Sequence, residues 1–158
     1  VPVLRPMTPD DVPAILALNE RNVVKLAPMD EPRLWQLRGW AERFDVVDVD
    51  GTFAGFVVTF PSGSPYDSEN YRWFSERYPA FAYLDRIVLH EDFRRRGLGT
   101  LVYDVVEADA QQHGRLALEV NLVPRNDASL AFHARRGYTE VGRLGDDEHL
   151  VSLMEKRL

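Results

Sequence analysis

Cysteine is absent from the chain, which removes disulfides, thiolate metal sites and a cysteine nucleophile from consideration. Histidine is scarce. His90, His113, His133 and His149 form no H-E-x-x-H or H-x-H pair, so no dedicated metal site is expected. No apolar run approaches the roughly 20 residues that cross a bilayer, so no membrane partner is expected. The first residues, Val1-Pro2-Val3-Leu4-Arg5-Pro6, lack the pattern of a secretory leader, and a cytoplasmic protein is the expectation. Positive charge is in short supply: 19 Lys and Arg face 25 Asp and Glu, for a net charge of −6. Such a chain repels nucleic acid unless a local basic patch overrides the total. What is present suits a single globular domain over residues 1–158, with 45% hydrophobic and 11% aromatic residues. A chain of this length buries a sizeable core without staples.

The order of elements is mixed α and β. Val3-Leu4-Arg5 reads as a first strand. Thr8-Pro9-Asp10-Asp11 has the N-cap, first-turn proline and acidic residues of a helix start, and Val12, Ile15, Leu16 and Asn19 follow at helical spacing. A second helix starts near Asp30-Glu31-Pro32. Residues 44–49 and 52–60 form a hairpin across Asp50-Gly51, a pair that tolerates positive φ. Residues 61–79 begin as a loop and become aromatic, with a short helix expected over 68–77. Residues 80–89 form the most apolar strand. The helix after Arg96 places Leu98, Leu101, Val102 and Val105 on one face, with Asp104 and Glu107 off it. Gly114 marks its end, a strand follows over 116–122, and a helix over 126–136 carries Asn126 as N-cap and Gly137 as stop. Two closing strands, 138–144 and 149–157, bring the expectation to about seven strands and four helices.

The most informative stretch is Arg94-Arg95-Arg96-Gly97-Leu98-Gly99-Thr100, between an apolar strand and an amphipathic helix. Gly97 and Gly99 carry no side chain where the backbone enters the helix, so N–H groups there can approach a ligand closely. Three arginines beside a positive helix terminus cost roughly 0.3–1 kcal/mol for each nearby charge. A multiply charged anion would reverse that cost, and guanidinium forks suit phosphate oxygens. The plainer alternative is a glycine turn with solvated arginines. A P-loop would need Lys-Ser/Thr where Thr100-Leu101 stands, and a dinucleotide fingerprint would need Gly or Ala at Val102.

Arg94-x-x-Gly97-x-Gly99 resembles the pyrophosphate motif of the GNAT N-acetyltransferases, Q/R-x-x-G-x-G/A. Three flanking segments resemble the same family in the same order: Leu84 to His90 its preceding strand, Asn126 to Tyr138 its N-x-x-S/A-x-x-F/L-Y/H-x-x-x-G-F/Y segment, and Val151 to Leu158 its last strand. The resemblance implies a mixed sheet splayed between its fourth and fifth strands, with acetyl-CoA in the V-shaped cleft as co-substrate. It implies that backbone groups of Ile87, Val88 and Leu89 take the pantetheine arm. It also implies that Arg94, Arg95, Arg96, Gly97, Leu98, Gly99 and Thr100 hold the pyrophosphate, and that Asn126 and Ser129 touch the pantetheine or phosphate side. For Asn126 a plain N-cap serves equally well.

The activity implied is direct attack of an amine on acetyl-CoA within a ternary complex, with no acyl-enzyme. The amine must lose a proton before it attacks. Glu119 and Asp85, carboxylates on strands expected to flank the cleft, are the candidate bases. The alternative is that one or both pair with Arg86 or another arginine. The family often carries Tyr where His133 stands, so His133 is the candidate acid, or else a packing residue. The rings from Tyr66 to Tyr78, with Tyr83, either wall the acceptor site or pack the core. The acceptor is expected to be a primary amine of a small molecule or peptide, and the protein a monomer or homodimer. A competing expectation is a non-catalytic acyl-CoA-binding regulatory module, and a third is nucleic-acid binding through Arg94 to Arg96, for which one basic triplet is a small footprint.

Overall fold

Side chains alternate between the two faces of one sheet, and each face builds its own core. The computed structural model describes residues 1–24 and 26–158. Val46, Phe56, Tyr83, Ala117 and Leu153 point to one side, and their neighbours Val47, Val57, Leu84, Leu116 and Met154 to the other. This period of two is what an extended strand imposes. The strands are β1 (Pro2–Pro6), β2 (Arg43–Val49), β3 (Thr52–Pro61), β4 (Ala82–Leu89), β5 (Arg115–Val123), β6 (Thr139–Gly145) and β7 (Leu150–Arg157). They form one sheet in the order β1-β2-β3-β4-β5-β7-β6. The mixed seven-stranded sheet is as expected. The α-helices number five among the described residues against the count of about four, and each lies on a segment read as helical from the sequence: α1 (Val12–Arg21), α2 (Glu31–Trp40), α3 (Glu69–Ser75), α4 (Leu98–Ala110) and α5 (Asp127–Arg135).

Local chemistry sets most boundaries. Thr8 caps a 3₁₀ turn, Pro9–Asp11, which feeds α1. Asp30 accepts from the Arg33 backbone N–H and opens α2. The β2–β3 turn holds Asp50 and Gly51 at φ of 52° and 86°, as an Asp-Gly hairpin requires. Ile15, Leu18, Leu34 and Leu37 seal the first face, while Leu98, Val102 and Val106 of α4 seal the second. One expectation fails on α4. Glu107 is buried, 8% exposed, because Arg136 and Lys156 reach it as ionic partners and Tyr138 as a hydrogen-bond donor.

The decisive feature is how little of β4 and β5 pair. They run parallel and match only at Ala82↔Leu116 and Tyr83↔Ala117. Beyond Tyr83 the strands part, which leaves the β5-facing backbone edge of β4 over residues 84–89 without a ladder partner among the described residues. On its other edge β4 is bulged: Val58 and Thr59 oppose Arg86 and Leu84, so Asp85 is the extra residue. A bulge re-aims side chains next to it.

Candidate active site

The parting strands open a cleft of about 470 Å³. Of the residues singled out from the sequence, Asp85, Ile87, Val88, Glu119, Asn126, Ser129 and His133 all line it. Leu89 and the Arg94–Thr100 turn do not; they follow at the end of β4, outside the lining residues.

Glu119 is carried into the cleft by β5. The hydroxyl of Tyr83, fully buried on β4, donates to its carboxyl group. Burial, reinforced by the nearby negative charge of Asp85, pushes the Glu119 carboxyl up to about 8, although the bonds from Tyr83 and Asn70 pull the other way. A carboxyl group at that value exchanges protons near neutrality.

Asp85 is engaged differently. It accepts from Arg86 Nε at 2.8 Å and from the Tyr66 hydroxyl at 2.6 Å. Arg86 in turn donates to Asn19 Oδ1 at 3.0 Å and to the Ala27 carbonyl at 3.2 Å. Both side chains of the pair are about 5% exposed. The ion pair weighed from sequence is therefore formed, and it ties the bulge to α1 and to the segment after it.

His133 sits on α5 with both ring nitrogens occupied. Nδ1 lies 2.7 Å from the Ser129 carbonyl, which can only accept, so Nδ1 carries the proton. Nε2, 2.6 Å from the Tyr103 hydroxyl, then accepts. Burial lowers the basicity of the ring, in keeping with a neutral imidazole. Tyr103 is the partner that sequence reading missed; only the crossing of α4 and α5 brings it there. Asn126 accepts from the Ser129 backbone N–H at 3.2 Å, so it does cap α5 while lining the cleft.

The arginine turn has the form an anion site needs. Gly97, at φ 75°, caps α4 in a conformation few other residues adopt. Gly99 has an ordinary φ, and a Cβ built on either glycine meets nothing within 4 Å. Neither glycine is demanded by packing, and at Gly99 the backbone does not demand one either. Arg94, Arg95 and Arg96 are exposed. These residues fit the phosphates of a coenzyme A ester: open N–H groups at the start of a 13-residue helix, with exposed cations beside them. The aromatic stretch divides. Tyr66 lines the cleft, whereas Tyr71 and Phe74 are core.

A family model described as the acetyltransferase (GNAT) family matches residues 11–138. The chain belongs to the GNAT acetyltransferase family. A curated relative, an uncharacterized N-acetyltransferase in the pepI 3′ region of Lactobacillus delbrueckii subsp. lactis, is 28% identical over 119 residues, 73% of this chain. The chain spans only 64% of the length of that relative. Among solved structures, Ard1 of Thermoplasma volcanium superposes with a TM-score of 0.78 at 18% identity, covering 99% of this chain and 97% of that one. The ribosomal-protein-S18-alanine N-acetyltransferase of Escherichia coli gives 0.71 at 20% identity, covering 99% and 94%. At such identities the structures speak for the GNAT fold.

Proposed function

We propose that this GNAT protein transfers an acetyl group from acetyl-CoA to a primary amine of a small molecule or peptide, by direct attack in a ternary complex. The observation that carries the reading is the placement of Glu119, a carboxyl group held by Tyr83 in the cleft where β4 and β5 part, where burial pushes it up to about 8. A non-catalytic acyl-CoA-binding module has no use for a carboxyl group so tuned, and this favours the enzyme. Acetyl-CoA supplies the thioester carbonyl that the amine attacks. Ile87, Val88 and Leu89 would hold it along the open edge of β4, Arg94 to Thr100 at the pyrophosphate, and Asn126 and Ser129 on the pantetheine side.

In this reading Glu119 takes the ammonium proton, since an ammonium has no lone pair. Asp85 is the anchor of Arg86 and the negative neighbour that keeps Glu119 weakly acidic. His133 accepts from the Tyr103 hydroxyl and fixes that ring at the cleft wall. A thiolate is a good leaving group and needs no acid there; the nitrogen's second proton leaves to solvent. We further place the protein in the cytoplasm, as a monomer or homodimer with no membrane or metal partner, and with no nucleic-acid partner in line with its net charge of −6.

The test is a pH–rate profile. kcat/KM should climb with pH to a plateau with a midpoint near 8. Glu119→Gln should lower turnover by about 10²–10⁴-fold and leave acetyl-CoA affinity unchanged. Normal turnover in that variant would remove Glu119 as the base.

A further inference from the structure

Resting on that activity, we propose that Arg86 is a positioning residue for the acceptor side of the cleft. Paired with Asp85, it holds Ala27 on one wall and Tyr66 on the other at the spacing that admits the amine. The argument starts from the bulge in β4. Tyr83 and Val88 belong to the core on the first face of the sheet, whereas Leu84, Ile87 and Leu89 pack against the second. A regular strand changes face at every residue, so Leu84 and Ile87 would lie on opposite sides. They share a side because Asp85 is the extra residue of the bulge. Asp85 and Arg86, adjacent in sequence, are thereby brought side by side, and Asp85 accepts from Arg86 Nε at 2.8 Å.

From there each partner reaches a different wall. Asp85 accepts from the Tyr66 hydroxyl at 2.6 Å. Stacking on Phe60, with ring centroids 4.0 Å apart, holds the body of Tyr66, and the bond to Asp85 fixes its hydroxyl end. Arg86 Nη1 donates to the Ala27 carbonyl at 3.2 Å and to Asn19 Oδ1 at 3.0 Å, and Asn19 Nδ2 donates to the same carbonyl at 3.1 Å. Arg86, Asn19 and Ala27 thus close a ring of bonds. Tyr66 and Ala27 both line the cleft, and both lie outside the helices and strands, Ala27 between α1 and α2 and Tyr66 between β3 and α3. The ion pair is what refers both of them to β4.

Stability alone does not call for such a pair. A buried ion pair is often no more stable than well-packed apolar side chains of the same volume. Directed bonds supply geometry instead. A lysine in place of Arg86 keeps the positive charge and can still pair with Asp85, but one ammonium cannot reproduce the planar fork that spans Asp85, Asn19 and Ala27. Position and charge can therefore be separated. The charge has its own effect. The groups that face Glu119 are Tyr83, Asp85 and Arg86 of β4, Asn70 of α3, Tyr66 before it and Tyr103 of α4. Among them Asp85 disfavours the ionised form of Glu119 and Arg86 favours it.

The experiment compares the wild type with Arg86→Lys and Arg86→Met. The wild type is first offered spermidine, trialanine amide, Nα-acetyl-lysine amide and benzylamine, and the best-used amine serves throughout. Arg86→Lys should raise KM for that amine by about tenfold and change kcat by less than about threefold. Acetyl-CoA affinity should hold, because the backbone ladder to β3 still presents residues 87–89. The midpoint of the pH–rate profile should stay in place in Arg86→Lys and rise in Arg86→Met, which loses the cation. An unchanged KM in Arg86→Lys overturns the proposal. A second measurement needs no acceptor. The Leu26 amide, next to Ala27, donates to the Asn22 carbonyl at 3.1 Å. Its hydrogen exchange in Arg86→Lys should quicken by about tenfold while the amides of β3 keep their wild-type rates. Unchanged exchange at Leu26, or exchange that quickens equally throughout, overturns the positioning role. Should Arg86→Met not fold, Arg86→Lys decides alone. A wild-type protein that binds acetyl-CoA yet acetylates none of the amines counts against the activity itself, and the exchange at Leu26 still decides what Arg86 holds.

Discussion

Burial and the neighbouring charge of Asp85 penalise the charge of Glu119, and the fold bears the cost. Its folded value of about 8 lies above the ordinary 4.5, so the folded state holds a proton that the unfolded chain has released. The associated stability is complete below pH 4.5 and is lost as the pH rises through 8. Glu119→Gln, which does not titrate, should match the wild type near pH 4 and exceed it at pH 9, by about 2–4 kcal/mol after allowance for water in the cleft. Urea unfolding at the two pH values checks this; equal stability at pH 9 would contradict the burial argument. A variant both more stable and less active is the expected sign of a site strained for function. Glu119 was legible in the sequence because a carboxylate interrupts an apolar strand. Asp85 looked the same there, and what separates the two is the bulge at Asp85, which brings Arg86 alongside. A bulge depends on the register with β3, which no local pattern encodes. Tyr103 was illegible for a similar reason, since its partner lies on another helix.

At the scale of elements, the turn into α4 and the helix α3 make opposite uses of glycine. Because a Cβ at Gly99 meets nothing within 4 Å, Gly99→Val should fold normally, with a change in stability of about 1 kcal/mol or less. Acetyl-CoA affinity should nevertheless fall by at least tenfold as close approach to the helix terminus is blocked. Calorimetry on the folded variant reads both quantities. Gly142 on β6 is the converse case. A Cβ there would come within 2.4 Å of Trp73 Cζ2, and Trp73 is wedged between Phe74 and the Arg77 guanidinium. Gly142→Val should cost about 1–3 kcal/mol by overpacking. Because Trp73 and Asn70 share α3, and Asn70 helps to hold Glu119, the midpoint of the pH–rate profile should rise as well. The arginine turn could be read from spacing alone, because its chemistry is local. The aromatic run could not be divided into wall and core, since that depends on how α3 docks against Tyr83 of β4 and Gly142 of β6.

The whole molecule is two half-sheets joined at two residue pairs, and the cleft exists because they separate. Besides the two apolar cores that span the halves, a buried carboxylate ties the second half together. Glu107 of α4 accepts from Arg136 Nε at 2.7 Å, from Lys156 Nζ at 2.9 Å and from the Tyr138 hydroxyl at 2.8 Å, joining α4 to the end of α5, the start of β6 and to β7. Burial alone would raise the Glu107 carboxyl, but the bonds from Arg136, Lys156 and Tyr138 outweigh it and hold the group below its usual range. A depressed folded value means stability that is present above pH 4.5 and is lost as the pH falls through the folded value. Glu107→Gln keeps the shape of the side chain and discards its charge, leaving Arg136 with Asp104 alone as an ionic partner. The cost at pH 7 should be about 2–3 kcal/mol, at the low end for a broken buried pair because Arg136 retains Asp104 and some contact with solvent. The gap between wild type and variant should close on acidification below pH 4.5, and a gap that persists to pH 2 would show that packing, not charge, anchors the second half-sheet. Since Tyr138 and Arg136 both pack against Tyr103, the same variant should also loosen the Tyr103–His133 pair on the cleft wall, with turnover falling more than acetyl-CoA affinity.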